Sequence, residues 1–286
     1  MKRREFLKTV AAGALGSAAH LGFPDAALAA RRGSSRSGGP YGAMLDDYLD
    51  KIRDFDRGHT GDIFLDRDIF PLLVSSVKRF KRVQGVVGHG NFYLLSFDEA
   101  VNVARRYPSV GEFTRQELDF LERIFYETAA PYGFFGEKPL KNLTDAIPRN
   151  KVTKIRGTGN YLYRGVPLET YKKIQRAVGR DVVLTSGIRS VTKQFLLFLE
   201  KAYLSNGNLS QASRSLAPPG YSFHGVGDFD VGQKGYGKLN FTREFVRTKV
   251  FKRLAETGYV RLRYPRDNML GVRFEPWHVK VKFRAI

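Results

Sequence analysis

Two short polar segments near the carboxyl end of the chain hold residue types that hydrolytic chemistry uses. In the first segment, His224 is followed by Asp228 and Asp230, which alternate with apolar residues as the residues of a strand do. In the second segment, Glu275 stands three residues before His278, and the chain's only tryptophan lies between them. The sequence contains no cysteine, so any metal site must be built from histidines and carboxylates.

The combination of these residues suggests a bound cation. A histidine near a single aspartate is more often a hydrogen-bonded pair than a metal ligand, but here two carboxylates share one strand face without a cationic neighbour in sequence. A hydrolytic zinc site uses three nitrogen or oxygen ligands and keeps one position for water, with a general base within reach. Pro276 cannot donate to a strand ladder, so a bend there would let Glu275 and His278 face the same site.

Three separated motifs give residues 181–281 a resemblance to the zinc D-alanyl-D-alanine carboxypeptidases and dipeptidases of the vancomycin-resistance type, also called the LAS or M15 peptidases. The motifs are Ser-Gly-Ile-Arg-Ser from residue 186 followed by Gln194, Ser-Phe-His from residue 222 with Gly227 and Asp230, and Glu-Pro-Trp-His from residue 275. Their order and rough distances are those of the family. Arg-Tyr-Pro from residue 263 and Gly271, which recur in the family, precede the third motif.

The resemblance implies a role for each matching residue. It implies that zinc is bound by His224, Asp230 and His278, that Glu275 is the general base and that Arg189 stabilises the oxyanion. Ser222 and Gln194 would hold polar groups of the substrate, although either could equally be a cap or form a local hydrogen bond.

Two departures from the family pattern leave points open. The family usually separates its histidine and aspartate by seven positions, whereas His224 and Asp230 are six apart, so either the turn is shorter or Asp228 is the ligand. We favour Asp230, because Val-Gly follows it as the family's strand would continue. The family's usual tyrosine is Ile188 here, which changes the wall of the pocket.

The elements that position these residues are expected to form an α+β domain over residues 140–286, with a small, mainly antiparallel sheet flanked by helices. Residues 182–184 predict a strand and residues 191–203 an amphipathic helix. Residues 241–256 predict a second helix with Thr242 as its cap and Gly258 as its stop. Residues 259–263 and 271–281 predict closing strands.

Residues 41–139 are expected to be mostly helical. Ser96 is a candidate cap for a helix that ends before Pro108, and Thr114 with Glu117 forms a candidate capping box. His59 and His89 are interpreted as loop residues. No chemistry is assigned to this region, which matches no family that we can place and is a candidate for setting substrate choice.

The first thirty residues indicate export. Lys-Arg-Arg from residue 2, a mildly apolar stretch and Ala-Leu-Ala at residues 27–29 together predict a twin-arginine signal peptide over residues 1–29, and a basic, flexible linker follows over residues 30–40. The expected location is the periplasm or cell envelope, and no stretch of the mature chain is long and apolar enough to span a membrane. The net charge of +20 favours acidic envelope polymers as additional partners.

The sequence therefore predicts an exported zinc peptidase that hydrolyses the D-Ala-D-Ala bond of peptidoglycan stem peptides. A D,D-endopeptidase or an L,D-carboxypeptidase would need the same metal apparatus, and a non-catalytic wall-binding relative is a further alternative. A nucleic-acid-binding protein is disfavoured, because the chain carries an export signal and its lysines and arginines are dispersed. Ligand types alone leave another divalent metal open.

Overall fold

A computed structural model describes residues 40–258 and 261–282 of the chain. The chain divides after Leu45, within the helix Pro40–Arg53, and the larger unit, Asp46–Ile286, contains the sheet and the candidate site. The predicted signal peptide and all but the last residue of the predicted linker lie outside the described residues. Among the described residues, no helix has the length and apolarity needed to cross a membrane.

Helices alternate with short strands in a mixed architecture, which confirms the predicted α+β class. The helices are α1 (Pro40–Arg53), α2 (Phe70–Val87), α3 (His89–Phe92), α4 (Phe97–Arg106), α5 (Arg115–Tyr126), α6 (Val166–Val178), α7 (Val191–Leu204), α8 (Leu209–Ser215) and α9 (Lys249–Glu256). The strands are β1 (Val152–Lys154), β2 (Tyr161–Tyr163), β3 (Val182–Ser186), β4 (Phe229–Gln233) and β5 (His278–Val279).

Local capping explains where the helices of the first half begin. Ser96 and Thr114 each accept a hydrogen bond from the backbone of the glutamate three residues later, and that glutamate binds back to the backbone of the cap. The predicted cap at Ser96 and the predicted capping box at Thr114 are confirmed, and Ser96 proves to form a capping box as well. Helix α4 ends at Arg106, as the proline at residue 108 predicts. His59 lies in a loop as expected, whereas His89 begins the short helix α3 and is not a loop residue.

The sheet that matters for the site has three antiparallel strands in the order β3-β4-β5, and β1 pairs with β2 in a separate hairpin. Strand β4 is central and buried. Its partner β5 is only two residues long, and the register places Asp230 opposite His278. On the other side, Ser186 lies opposite Asp230 across an irregularity in β3. Strand pairing alone thus brings the second and third sequence motifs together.

One apolar core packs against this sheet. Helices α6 and α9 contribute to it, and it includes Ile174, Leu254 and Trp277. A larger core is mainly helical and joins α2, α4 and α5 to α7. This core contains residues from both sides of the predicted domain boundary at residue 139, and the boundary itself stays a prediction.

Three predicted elements near the carboxyl end differ in extent from the structure. The 3-10 segment Gly237–Phe241 ends where the predicted helix 241–256 begins, a second 3-10 segment covers Arg243–Arg247, and α9 starts only at Lys249. Thr242 caps the second 3-10 segment and Thr248 caps α9, because each threonine side chain accepts a backbone hydrogen bond. Residues 259–260 of the first predicted closing strand lie outside the described residues. In the described part, the closing strands over 259–263 and 271–281 are reduced to β5 and a single bridge between Leu262 and Val279.

Candidate metal centre and catalytic cleft

Three buried side chains converge where β4 meets β5. Asp230 and His278 are register partners on these strands, and the 3-10 turn Phe223–Val226 supplies His224. Each of the three residues offers one donor atom to a common point, and these atoms lie within 4.8 Å of one another. The Nε2 atom of His224 is 3.2 Å from Oδ1 of Asp230, and the Nδ1 atom of His278 is 3.6 Å from the same oxygen.

Hydrogen bonds on the far side of the site fix which atoms face inward. The Nδ1 atom of His224 lies 2.7 Å from the carbonyl oxygen of Gly187, to which it donates, so Nε2 carries the free lone pair. That Nε2 atom and Oδ1 of Asp230 are buried without a hydrogen-bond partner among the described residues. Buried polar atoms without partners are costly, and a bound cation would satisfy both atoms at once.

Asp228 supports the site from behind. Its two carboxylate oxygens accept hydrogen bonds from the Arg263 guanidinium and from the backbone amide of Val281, and they lie 3.1 Å from Nε2 of His278. The open question between Asp228 and Asp230 therefore has a geometric answer. The Oδ1 atom of Asp230 lies close to both histidines. Asp228 instead contacts Nε2 of His278, so Nδ1 of that ring faces the site.

Burial and neighbouring charges give the three side chains unequal proton affinities. Burial lowers the pKa of His224, and the positive charge of Arg189 lowers it further. Burial alone would raise the pKa of Asp230, but His224 and Arg189 outweigh it and hold that pKa well below its usual range. Burial disfavours the charged form of His278, yet the carboxylates of Asp228 and Glu275 raise its pKa to about 9.

The connection from β3 to α7 carries Arg189 and shapes the wall of the site. A Cβ atom on Gly187 would lie 2.0 Å from the carbonyl oxygen of Tyr161, so only glycine fits this close backbone approach. Arg189 donates from Nη2 to Oδ2 of Asp230 at 2.8 Å and from Nε to Oγ of Ser186 at 3.0 Å. Its Nη1 makes no hydrogen bond to a described residue, and the Arg189 side chain lines the cleft.

Glu275 borders the donor cluster. Its Oε2 atom is 3.1 Å from Nδ1 of His278, on the side of the ring that faces the site. The predicted bend is present, because the His278 amide donates to the Glu275 carbonyl and so closes a turn around Pro276. Base and ligand thus point into one cleft even though they are three residues apart.

The two predicted substrate-binding residues have different positions. Ser222 is buried and lines the cleft beside His224. Gln194 is also buried, but it does not line the cleft, and its amide nitrogen donates to the Ala217 carbonyl. Its side-chain oxygen has no hydrogen-bond partner among the described residues.

The cleft is a cavity of about 400 Å³ whose lining includes residues that sequence reasoning missed. They are Phe55, Tyr93, Lys193, Lys201, Tyr264 and Arg273. Burial lowers the pKa of Lys193 to about 8, and the charge of Arg189 adds to this effect. Of these six residues, only Tyr264 belongs to a sequence motif, the Arg-Tyr-Pro triplet that precedes the third motif. Phe55 reaches the cleft from the region to which no chemistry was assigned.

The residues present fit a zinc ion. The donor set is two imidazole nitrogens and one carboxylate oxygen, which are zinc ligands in hydrolytic sites, and each histidine has its outer nitrogen held by an oxygen. Two of the donor atoms are buried and unpartnered. His224, Asp230 and His278 are therefore the residues that would hold the ion.

Comparisons with known proteins give the following matches. The family model VanY, described as a D-alanyl-D-alanine carboxypeptidase, matches residues 167–282. Among solved structures, the LdcB LD-carboxypeptidase is 23% identical, and the match covers 46% of this chain and 63% of that chain with a TM-score of 0.38. The vancomycin-resistance D,D-pentapeptidase VanY in complex with Zn(II) is 27% identical over 50% of this chain and 85% of that chain, with a TM-score of 0.36.

The D,D-dipeptidase VanXYg in complex with a D-Ala-D-Ala phosphinate analogue is 20% identical, with coverage of 53% and 62% and a TM-score of 0.42. No curated protein sequence matches the chain significantly. All of the predicted site residues, from Arg189 to His278, lie inside the segment matched by the family model. The resemblance seen in the three motifs is confirmed, and the predicted enzyme class, a metallopeptidase, is that of the matching family: residues 167–282 are similar to the VanY family of D-alanyl-D-alanine carboxypeptidases.

Proposed function

We propose that this protein is a zinc-dependent D,D-carboxypeptidase that removes the terminal D-alanine from peptidoglycan stem peptides. The observation that carries the proposal is the convergence of His224, Asp230 and His278 on one point beside Glu275, inside a domain of the carboxypeptidase family. A metal-binding site with an adjacent carboxylate is the apparatus that peptide hydrolysis by an activated water requires.

Zinc bound by these three side chains would lower the pKa of a coordinated water to about 7 and polarise the scissile carbonyl. Glu275 acts as the general base, because its carboxylate lies at the edge of the donor cluster, within reach of a water bound there. It takes the proton of the attacking water and delivers it to the amine of the leaving D-alanine. If Nδ1 of His278 held the ion, the Oε2 atom of Glu275 would be free to accept a hydrogen bond from the attacking water.

Arg189 stabilises the negative charge that develops on the former carbonyl oxygen. Its guanidinium is held in place by Ser186 and Asp230, which leaves Nη1 as the donor toward the substrate. A fixed donor of this kind is typically worth about 3–4 kcal/mol of transition-state stabilisation. Because Arg189 also contacts Asp230, its removal should affect metal affinity as well as turnover.

Ser222 supplies a polar contact for the peptide in the cleft. Gln194 does not line the cleft, so it would act indirectly, by holding the carbonyl of Ala217, a residue that does line the cleft. The short spacing between His224 and Asp230 does not argue for a non-catalytic relative, since both side chains reach the common point.

The proposed site of action is outside the cytoplasm, in the periplasm or cell envelope. The support for export is the sequence of residues 1–29, with its arginine pair and small-residue cleavage site. The enzyme's proposed substrate, the stem peptide, also lies in that compartment.

The test measures metal content and hydrolysis on the same protein. We expect about one zinc per chain and release of D-alanine from a pentapeptide that ends in D-Ala-D-Ala. Glu275→Gln should retain zinc and lose turnover by roughly 100-fold to 10,000-fold, because general-base catalysis is removed. Glu122→Gln, an exposed glutamate on α5, is the matched control and should leave both unchanged.

Other outcomes separate the alternatives. A protein that takes up no zinc contradicts the metal assignment. Zinc binding with cleavage of cross-linked muropeptides alone identifies an endopeptidase, and removal of D-alanine from a tetrapeptide stem identifies an L,D-carboxypeptidase. Zinc binding without any cleavage leaves a wall-binding relative.

A further inference from the structure

The side chain of Arg273 is fixed in the cleft without a hydrogen-bond partner. Its guanidinium carbon lies 4.5 Å from the centre of the Phe55 ring and 4.9 Å from the centre of the Trp277 ring. Its backbone amide is held by the Arg214 carbonyl. The buried Nε atom has no partner among the described residues, and its nearest carboxylate oxygen, on Glu275, is 4.0 Å away. The planar group is therefore positioned by rings while its donors stay available.

A second cationic side chain lines the same cleft. Lys201 lines the cleft, is half-buried and forms no ion pair or hydrogen bond with the described residues. Arg273 lines the same cleft. Burial lowers the pKa of Lys201, and the positive charge of Arg273 lowers it further, although Asp56 partly offsets both effects. Lys193 lies eight residues earlier on α7, about 12 Å away along the helix axis, so the cations are spread along one wall.

Arg273 also stands at the junction with a second cavity. This neighbouring groove, about 560 Å³ in volume, shares Phe55 and Arg273 with the catalytic cleft. Its lining has an excess of positive charge over the two carboxylates of Asp54 and Asp56. The additional arginines are Arg53, Arg57, Arg243 and Arg266. A ligand that extends from the reacting bond past Arg273 thus enters a positively charged groove.

The chemistry of this junction suits a carboxylate. A guanidinium presents parallel N–H donors that match the two oxygens of a carboxylate, and such charge-assisted pairs are stronger than neutral hydrogen bonds. The flanking rings hold the guanidinium in one orientation before the ligand arrives, which reduces the entropy lost on binding. An anion placed between Arg273 and Lys201 would also relieve their mutual repulsion.

We propose that Arg273 and Lys201 form a subsite for a second carboxylate of the substrate, on the amino-terminal side of the scissile bond. This inference rests on the proposed function. In a D,D-carboxypeptidase reaction the leaving D-alanine carries only its own terminal carboxylate, so any additional acidic group belongs to the acyl portion of the stem peptide. The subsite makes the enzyme prefer stems with a free carboxyl group at the second or third residue over stems in which that group is amidated.

A positioning role for Arg273 predicts a different result. Arg273 is near Glu275, so its loss could lower turnover by changing the orientation of the base. That effect would be the same for every peptide with the same terminal D-Ala-D-Ala. Only a subsite predicts that the effect of the substitution depends on a distant carboxyl group.

The experiment compares two matched pairs of pentapeptides with the zinc-loaded full chain. The first pair is L-Ala-γ-D-Glu-L-Lys-D-Ala-D-Ala with a free or an amidated α-carboxyl on its D-glutamate. The second pair carries meso-diaminopimelic acid at the third residue, with its side-chain carboxyl free or amidated. The value of kcat/KM is measured for each peptide, and the Kd of each peptide is measured on the zinc-loaded Glu275→Gln variant.

We expect the acidic member of at least one pair to be preferred by roughly tenfold in both measurements, the size of one charge-assisted contact. Arg273→Gln should remove the preference, and Lys201→Gln should reduce it several-fold. Arg115→Gln removes one exposed positive charge from α5 and should retain the full preference. Lys201→Gln removes a side chain without hydrogen bonds, so it keeps the test valid even if Arg273→Gln does not fold.

Each outcome decides the proposal separately from the function. Hydrolysis without a preference in either pair overturns the subsite and leaves the carboxypeptidase. If the protein binds the acidic peptides more tightly, loses this preference in Arg273→Gln and hydrolyses no peptide, the subsite is supported and the proposed function is contradicted. If Arg273→Gln lowers kcat/KM by the same factor for both members of each pair, the preference for the acidic peptide is retained. That result assigns Arg273 to positioning Glu275 and overturns the subsite. If the protein shows no hydrolysis and no preferential binding, both the subsite and the proposed function are overturned.

Discussion

At the scale of single residues, the two neighbouring aspartates of the second motif have different tasks. Asp230 gives one oxygen to Arg189 and keeps the other unpartnered between two histidines. Asp228 uses both oxygens, on Arg263, on the Val281 amide and on the outer nitrogen of His278. Alternation along a strand places both on one face, and only the tertiary contacts separate a ligand from its support.

These different roles predict different losses of zinc affinity for two conservative substitutions. Asp230→Asn removes a charged ligand and should abolish tight zinc binding. Asp228→Asn keeps the ligand set but weakens the hold on His278, so zinc affinity should fall by about 10-fold to 100-fold. Competition with a chelator of known affinity measures both. Retention of tight binding by Asp230→Asn, together with its complete loss in Asp228→Asn, would reverse the assignment.

At the scale of elements, the connection between β3 and α7 holds the site together. Its glycine at position 187 accepts the hydrogen bond of His224, and the next amide, of Ile188, donates to the Tyr161 carbonyl at 2.8 Å. Arg189 follows, and Ser190 caps α7 by accepting from the Lys193 amide. One turn therefore fixes a metal ligand, the proposed oxyanion donor and the start of the helix that carries the cleft lysines.

Gly187→Ala should disrupt this connection. The added methyl group would meet the Tyr161 carbonyl oxygen at 2.0 Å, so backbone must shift, and we expect a loss of about 2–4 kcal/mol in the free energy of unfolding together with weaker zinc binding. Gly85→Ala is the matched control, because Gly85 lies within α2 and a methyl group there meets nothing within 4 Å. That substitution should stabilise the protein by up to about 1 kcal/mol. Denaturant unfolding of the two variants measures the contrast, and equal effects would contradict it.

A buried ion pair fixes the segment that carries Phe55. Arg214 on α8 binds both oxygens of Asp62, at 2.7 and 2.9 Å, and also donates to the carbonyl oxygens of Phe55 and Arg57. Burial would raise the pKa of Asp62, but Arg214 and Asn208 outweigh it and lower that pKa to about 2. The carboxylate form is thus favoured in the folded chain, and the pair links the residues before α2 to the cleft.

The lowered pKa of Asp62 gives a pH dependence with a defined sign. Its contribution to stability is fully present above the unfolded value near pH 4 and is lost as the pH falls toward 2. Asp62→Asn should remove this acid-sensitive contribution and cost about 3–5 kcal/mol at neutral pH, because it leaves Arg214 buried and unpaired. Asp119→Asn breaks an exposed pair with Arg115 and should cost less than about 1 kcal/mol. Unfolding curves at pH 7 and pH 3 test both, and an unchanged acid response in Asp62→Asn would contradict the prediction.

The elements also show what the sequence can and cannot determine. Caps at Ser96 and Thr114 and the helix over residues 191–203 were predictable, because their signals are local side-chain contacts and a regular apolar period. The helix predicted over residues 241–256 failed because Thr242 and Thr248 are equally good caps, and Asn240 ties the earlier segment to Gln233 through two hydrogen bonds. The spacing of apolar residues cannot show which threonine begins the helix, because that depends on the contact between Asn240 and Gln233.

The candidate site also contains some residues that the sequence could predict and others that it could not. The convergence of His224, Asp230 and His278 beside Glu275 was predictable from motifs, since the proposed chemistry demands these residue types and the resemblance gives their order. Arg273 and Phe55 were not, because they are separated by more than two hundred positions and meet only in the folded chain. An arginine in a sequence with 48 lysines and arginines gives no sign of being sandwiched between two rings.

At the scale of the whole molecule, the net charge of +20 predicts how the enzyme finds its substrate. A strongly positive protein is drawn to an anionic surface over about a Debye length, roughly 8 Å at physiological ionic strength and 3 Å at 1 M salt. On a wall that carries acidic polymers, we expect this attraction to raise the local concentration of the protein. It does nothing for a neutral peptide in solution, whose encounter rate is set by diffusion alone.

Release of D-alanine from intact walls that carry acidic polymers should therefore fall by about tenfold or more between 0.05 M and 1 M salt. Release from an amidated, soluble pentapeptide should change little over the same range, because that substrate lacks both the polymer and the carboxylate proposed to bind at Arg273. Walls stripped of their acidic polymers are the control and should behave like the soluble peptide. An equal response of all three substrates to salt would mean that the charge acts on the catalytic site itself and not on the approach to the wall.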